Sequence, residues 1–461
     1  MVRSIGNVQQ DAQVRAVASG ALANGDTVIV NADGTVSAVT TNSATQSIGS
    51  PTVFATSNVQ ATSVAYDVNA QKVVVAYRDA GNSNYGTAIV GTVSGTSISF
   101  GSPTVFESAF IINISAVYDA NAQKVVIGYR NIGNSHYGTA IVGTVSGTSI
   151  SFGTAVVFNS KTSVFVSGVY DSNAQKVVFA YRDIDTTNTG QAIVGTVSGT
   201  SISFGTASTF ETGDPTHVAA TFDSSNNKVV IAYQDSDDPD DAGKAVVGTV
   251  SGTSISFGSP VAFTNSLTEN ISATFDSNLG KVILGYYHAG STRLEAIVGT
   301  VSGTSISFGT AVEVSGNIPH VSITYDANAE KVVLFYVNSS LGNQGLLRVG
   351  TVSGTSISFG SSSEFESGST TNISSVYDAN AQKVVTAYTD STNSTYGTSV
   401  VFRNSFSNVN LTSENFIGFA DGAYADTQSA EINSTCSVDR NQTSLTAGQI
   451  YYVQTDGSLG L

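Results

Sequence analysis

Apolar and polar positions along the chain fall into a block of about fifty residues that recurs. One copy reads "NISAVYD", "KVVIGYRN", "YGTAIVGTV" and "TSISFGTAVVF". The two middle segments are almost continuously apolar, which predicts strands covered on both faces. The last alternates: Ile150 and Phe152 point one way, Ser149 and Ser151 the other. It predicts a half-buried strand. Turn residues separate all four segments.

The phrase "SGTSISFG" starts at Ser94, Ser146, Ser198, Ser251, Ser302 and Ser353. A second marker occurs seven times: Tyr66-Asp67, Tyr118-Asp119, Tyr170-Asp171, Phe222-Asp223, Phe275-Asp276, Tyr325-Asp326 and Tyr377-Asp378. Each Asp is followed five residues later by a Lys, from Lys72 to Lys383. Four-stranded units at this period, seven times over, predict an all-β fold with a seven-bladed β-propeller. The last unit lacks the phrase, and "TQSIGSPTVF" at 45–54 reads as an orphan outer strand. It would complete the last blade and join the ends of the ring, a split that an open solenoid would not need. The Ser-Gly pair of the phrase supplies the positive φ a tight hairpin needs. The seven Asp residues read as turn caps made through their own backbone.

Strand order puts the first and third turns of each unit on one face and the remaining turns on the other. The first kind ("YDANAQK", "VSGTS") is nearly constant. The second kind diverges, as in "RDAGNSNYG", "QDSDDPDDAG" and "VNSSLGNQG", and so do the turns leading to the next unit, such as "ESAFIIN" and "ETGDPTH". A divergent face on a rigid scaffold is where an asymmetric site can be built; relaxed constraint on exposed loops gives the same pattern. His136, His217, His288 and His320 all fall on that side.

Three groups of residues there bear chemistry. Five residues before each Tyr/Phe-Asp marker stand Ala61, Asn113, Phe165, His217, Asn270, His320 and Asn372, placed to ring the mouth of a central channel. Arg78, Arg130 and Arg182 end the second strand of three successive units, where guanidiniums could share a carboxylate or sulfate. Local pairing with loop acids would explain them equally. The loop 235–241 carries Asp235, Asp237, Asp238, Asp240 and Asp241, hard oxygen ligands of the kind that take Ca²⁺, without the glycine and terminal Glu of an EF-hand. A solvated acidic loop is the plainer reading. No other cofactor is indicated.

Composition narrows the function classes. A net charge of −16 argues against nucleic acid and anionic lipid as partners. No apolar run reaches a membrane span of about 18 residues. Cys436 is the only cysteine, so stability must come from burial. No catalytic elbow, phosphate loop or zinc-hydrolase helix is present in the sequence.

Outside the repeats, "LANGDTVIVNADGTV" at 22–36 aligns with "LTAGQIYYVQTDGSL" at 445–459, each with an Asp-Gly hairpin signal. Residues 1–44 and 406–461 are therefore expected to form one small β module, with the propeller inserted at 45–405. Here the chain resembles a known group. "SGALANGDTVIVNADGTVSAV", "ENFIGFADGAYADTQSAEI" and "SLTAGQIYYVQTDGSLG" look like a small β module of virion structural proteins of tailed, notably marine, phages. The "YD-N-KVV-AYRD" and "IVGTVSGTSISFG" repeats are similar to those of phage tail-fibre-like proteins. Modules of this type often continue past "DGSL", whereas the chain stops at Leu461: its last strand pairs with another subunit, or the chain is clipped.

The resemblance implies a non-enzymatic protein on the surface of the phage particle. The module would dock to other virion proteins and join copies in a homo-oligomer. The propeller would be a receptor-binding head for a host surface glycan. The alternatives are a capsid, tail or baseplate decoration subunit with a purely structural role, and a glycan-cleaving enzyme.

Overall fold

The computed structural model describes residues 13–185, 188–316, 320–411, 415–434, 452–453 and 458–460. The chain divides into two compact bodies: a repeat body, Gln46–Asn404, and a terminal body made of Met1–Thr45 and Ser405–Leu461. The described residues are all-β apart from one 3₁₀ turn, Ser339–Leu341.

Within the repeat body each unit is an antiparallel sheet. In the second unit, 111–119 pairs with Lys124–Asn131, which pairs with Tyr137–Ser146, which in turn pairs with Ser149–Phe152 and with 156–162. The outer strand is thus made of two pieces on the same neighbour. In the last unit these pieces are supplied by the start of the body: Ser47–Ile48 on Phe402 and Arg403, and 52–58 on 396–399.

The segments read from sequence as turns between units are different in the structure. In four places one 16-residue strand runs straight from the outer position of one unit to the inner position of the next: Thr52–Asp67, Thr104–Asp119, Val156–Asp171 and Ser363–Asp378. The reversal expected there is replaced by a bulge, where the register shifts, as between Ile112 and Ser115.

Packing explains the repetition. Every second strand carries a buried tyrosine: Tyr77, Tyr129, Tyr181, Tyr233, Tyr286, Tyr336 and Tyr388. In six places an outer-strand Phe of the neighbouring unit tilts or packs edge-on against it, as Phe106 does on Tyr129 at 5.4 Å. Each apolar cluster therefore joins two units; one joins Val385, Ala387 and Val401 to Phe54, Val73 and Tyr77. A hydrogen-bonded rail also links the inner strands. Ser63 Oγ accepts from Ala116 N–H at 2.9 Å, Ser115 from Gly168 at 2.8 Å, and Ser167 from Ala220 at 3.0 Å. Ser374 accepts from Val64 at 3.1 Å, linking last unit to first. Ala219 holds the serine position in the fourth unit and makes no such bond.

All seven marker aspartates cap their turns as expected from the sequence; Asp119 Oδ1, for example, accepts from Ala122 N–H at 2.9 Å. Tyr118 and Tyr170 brace the preceding unit's turn by accepting from Asn69 and Asn121, and Tyr66 does the same for Asn380. The Ser-Gly turns hold glycine at φ 60° to 62°.

The terminal body contains a five-stranded sheet in the order Gln13–Val17, Ser429–Ser434, Phe416–Ala420, Thr27–Val30, Val36–Ala38, so both chain ends contribute. Its core is Ala18, Leu22, Val28, Val36, Ala420, Ala430 and Ile432. The Asp33-Gly34 hairpin forms, with Asp33 Oδ1 accepting from Thr35 N–H at 3.0 Å. Cys436 and the second hairpin signal, Asp456-Gly457, lie outside the described residues.

Candidate functional site

The inner strands set the ring residues on unusual backbone. Ala61, Asn113, Phe165, His217, Asn270 and Asn372 have φ between 49° and 53°, the left-handed region. It is the bulge that demands this conformation, which Asn and His tolerate better than most residues and which strains Ala61 and Phe165. The recurrence of Asn at this position therefore has a local backbone cause, which the sequence did not disclose.

Five ring residues, Ala61, His217, Asn270, His320 and Asn372, together with the residue following each, line a central cavity of about 220 Å³. Phe165 lies beside it, its ring 5.4 Å from that of His217. Asn113 shares the backbone conformation but is not among the lining residues. The Asn372 amide donates to Thr389 Oγ1 at 3.2 Å. The side chains of His217, Asn270 and His320 make no hydrogen bond to another described residue, so their polar atoms are available to a ligand. Burial pushes His217 down to about 4 and holds His320 below the ordinary histidine value. Both rings are therefore uncharged near neutral pH, and the cavity wall is polar without being cationic.

The three arginines do not form a shared anion grip. Arg182 pairs with Asp214 at 2.6 Å, Arg130 Nη2 donates to His136 Nδ1 at 2.8 Å, and Arg78 lies 5.1 Å from the centre of the Phe110 ring. Each guanidinium is held by a different local partner, because the segment that enters the next unit, which supplies Phe110 and Asp214, and the turn after the second strand, which supplies His136, both vary. Each keeps a buried Nε without a partner, and burial lowers Arg78 and Arg130 from the usual arginine value. The Asp or Asn after each arginine caps its own turn, as Asn131 Oδ1 does for Asn134 N–H at 3.0 Å. His288 takes that capping place in the fifth unit, accepting from Ser291 N–H at 3.0 Å.

The acidic loop is also engaged from within. Lys244, on the strand that follows, reaches Asp235 at 2.7 Å and Asp238 at 3.0 Å, and holds Asp238 below the usual carboxylate range. Among the described residues no group of three or more carboxylate, imidazole or thiol side chains is placed to hold a metal ion. The Ca²⁺ expectation for Asp235, Asp237, Asp238, Asp240 and Asp241 is corrected accordingly: one lysine ammonium already engages two of the five carboxylates.

A second space, of about 330 Å³, lies between the outer strand of the second unit and the sheet of the third. Asn159, Lys161, Tyr181, Asp183 and Gln191 are among its lining residues. None of these was singled out from sequence, since the space depends on which residue faces which across neighbouring units.

No protein-family model and no curated protein matches the chain. Solved structures do. The BP39L lectin from Burkholderia pseudomallei is similar over 77% of this chain and 98% of its own, with a TM-score of 0.54 at 10% identity. AofleA from Arthrobotrys oligospora is similar over 73% and 94%, with a TM-score of 0.45 at 11% identity. The SapL1 lectin, solved in complex with alpha methyl fucoside, is similar over 66% and 96%, with a TM-score of 0.43 at 14% identity. At such identities the likeness to the first of these is one of fold alone.

Proposed function

We propose that the protein is a non-enzymatic carbohydrate binder, the adhesion head of a tailed-phage particle directed at a host surface glycan. Its repeat body is a closed seven-bladed β-propeller, and its terminal body docks the head to other virion proteins and joins copies of the chain. Closure is supported by the pairing of 52–58 with 396–399 and by the bond from Val64 N–H to Ser374. The phage setting rests on the resemblance of the repeats and of the terminal segments.

The central cavity carries the binding reading. It presents uncharged donors and acceptors of His217, Asn270 and His320, unclaimed by any other described residue, to a space the size of a small polar group. Sugar hydroxyls match such a wall, since each can donate and accept. The shared fold with a lectin supports the same reading and the non-enzymatic one.

The test is binding of the purified chain to host cells and to host polysaccharide, together with competition against infection. Binding is expected, and a combined change of Asn270 and His320 to Ala should weaken it by about tenfold or more. A chain that enters particles normally but binds neither cells nor polysaccharide would point to the decoration role instead.

A further inference from the structure

The units build the same space between the outer strand of one and the second strand of the next, and fill it differently. Tyr129 donates to Glu107 at 3.0 Å, Tyr233 to Glu211 at 2.7 Å and Tyr388 to Glu366 at 2.9 Å; in each case the Glu comes from the preceding unit's outer strand. Tyr286 finds Glu295 on its own sheet at 3.0 Å instead. Beside Tyr336 and Tyr77 the Glu position is Ser315 and Ala55. Leu346 fills the wall in the first of these. Beside Tyr181 the position is Asn159, whose amide turns aside to donate to Ser163 Oγ at 3.0 Å. The Tyr181 hydroxyl makes no hydrogen bond to a described residue. At this place stands the 330 Å³ space.

The walls define what could enter. Asp183 is buried, at 5% exposure, and pairs with Lys161 at 3.2 Å, so the two charges cancel. Gln191 Nε2 donates to Thr189 and Thr209 at 2.8 Å each, which fixes the amide plane. The buried Tyr181 adds an aromatic surface with a polar tip. A net-neutral wall of mixed donors and acceptors excludes a strong anion or cation. The volume is at the low end of the roughly 300–1,000 Å³ of ligand pockets, room for one sugar ring.

We infer that the space between Asn159 and Tyr181 is a second binding site, for a single neutral hexose ring, opened by the loss of the glutamate that fills it elsewhere. The choice of a sugar rather than another polyol of that size rests on the carbohydrate reading above; the site itself does not.

The probe is a panel of methyl glycosides of glucose, galactose, mannose, fucose and N-acetylglucosamine, followed by saturation-transfer NMR on the full chain. At least one is expected to bind. Asn159→Glu restores the residue three other units use, so it should refill the space against Tyr181 and reduce binding on the order of tenfold or more without lowering the melting temperature. Gln191→Leu places the residue of the sixth unit in the same wall and should act alike, which covers the case in which the first variant folds poorly. Absence of binding by every glycoside, or binding unchanged in both variants, would overturn the site. Host polysaccharide binding, measured on the same samples, reports separately on the broader reading: it survives the loss of this site if the central cavity alone serves it.

Discussion

Gly101 lies against Thr148 so closely that a Cβ at position 101 would stand 1.9 Å from the Thr148 carbonyl oxygen. The same relation joins Gly49 to Thr96, Gly153 to Thr200, Gly205 to Thr253, Gly258 to Thr304 and Gly309 to Thr355. Apart from Gly49, which lies in the segment 45–54 that stands in for the phrase in the last unit, both partners belong to the repeated phrase. Each copy is therefore the surface against which its neighbour must fit, and a change in one copy disturbs the next. That mutual constraint holds "SGTSISFG" fixed, while the turns after the second strand meet side chains that themselves differ between units, as Gly81 meets Ser57 and Gly133 meets Ala109, and diverge with them.

Gly101→Ala should therefore be costly, since backbone, not a flexible side chain, stands in the way. Overpacking of this kind costs about 1–3 kcal/mol. Gly360 is the natural control. The unit after it has no phrase, and the nearest atom to a Cβ there is the Val349 carbonyl oxygen at 3.8 Å. Gly360→Ala is expected to melt like the parent in thermal denaturation, and Gly101→Ala clearly lower. Equal shifts in the two would separate the fixed phrase from this interlock.

A size exchange between facing residues gives a second test. Gly86, Gly138, Gly190, Gly243, Gly345 and Gly397 each lie under a Phe ring, from Phe106 to Phe54, where a Cβ would stand only 2.4–2.5 Å from a ring carbon. The fifth unit has Leu294 and Val314 at these two places, both buried. Leu294→Gly should leave a cavity and cost about 2–5 kcal/mol, as truncations to Ala do. Val314→Phe alone should overpack. The double variant recreates the pairing of the other units and is expected to recover most of the loss, a favourable coupling in a double-mutant cycle read by melting.

Much of this fold is written in short-range pattern. The strand order, the turn caps of Asp67 and its counterparts, and the positive φ of Gly95 follow from neighbours in the chain. What was not legible depends on residues one unit apart. The serine rail is hidden because Ser115 and its acceptor role at Gly168 are ordinary residues until the two inner strands lie side by side. Asn113, Asn270 and Asn372 were placed correctly on the inner strand, but their left-handed backbone has no sequence signal beyond the residue type. The lysine that neutralises Asp235 comes from the next strand, beyond the loop whose charge density drew attention. The open space at Tyr181 shows in the sequence only as an Asn where three other units have Glu.

The closing strand is open to a truncation test. Removing residues up to 54 takes away Ser47–Ile48, the Gly49–Thr96 contact and Phe54, whose ring lies 5.4 Å from that of Tyr77. That exposes the apolar cluster joining Val385 and Val401 to Val73 and Val75. A chain of residues 46–404 should melt cooperatively. A chain of residues 55–404 should melt lower and more broadly, and should bind a hydrophobic dye. Identical melting of the two would remove the support for a closed ring.

The shielding of the central cavity can be read through pH. Burial takes His217 from its ordinary value of 6.5 to about 4. The folded state thus favours the neutral ring. Well above 6.5 both folded and unfolded chains leave it unprotonated, and its titration contributes nothing. Between 6.5 and about 4 the unfolded chain binds a proton that the folded chain refuses, so stability falls as pH falls; below about 4 the loss levels off. His217→Asn removes the proton site and keeps a residue that Asn113, Asn270 and Asn372 show to suit the left-handed backbone. Parent and variant are expected to melt with a constant difference above about pH 7, and the variant should gain on the parent as pH drops toward 4. Asp119, Asp171 and Asp326, whose carboxyls burial raises, respond in the opposite sense, but they are present in both proteins and cancel in the comparison. A difference that stays flat from neutral pH to about 4 would mean that water reaches His217 freely, and the case for a desolvated sugar-binding wall around it would fall.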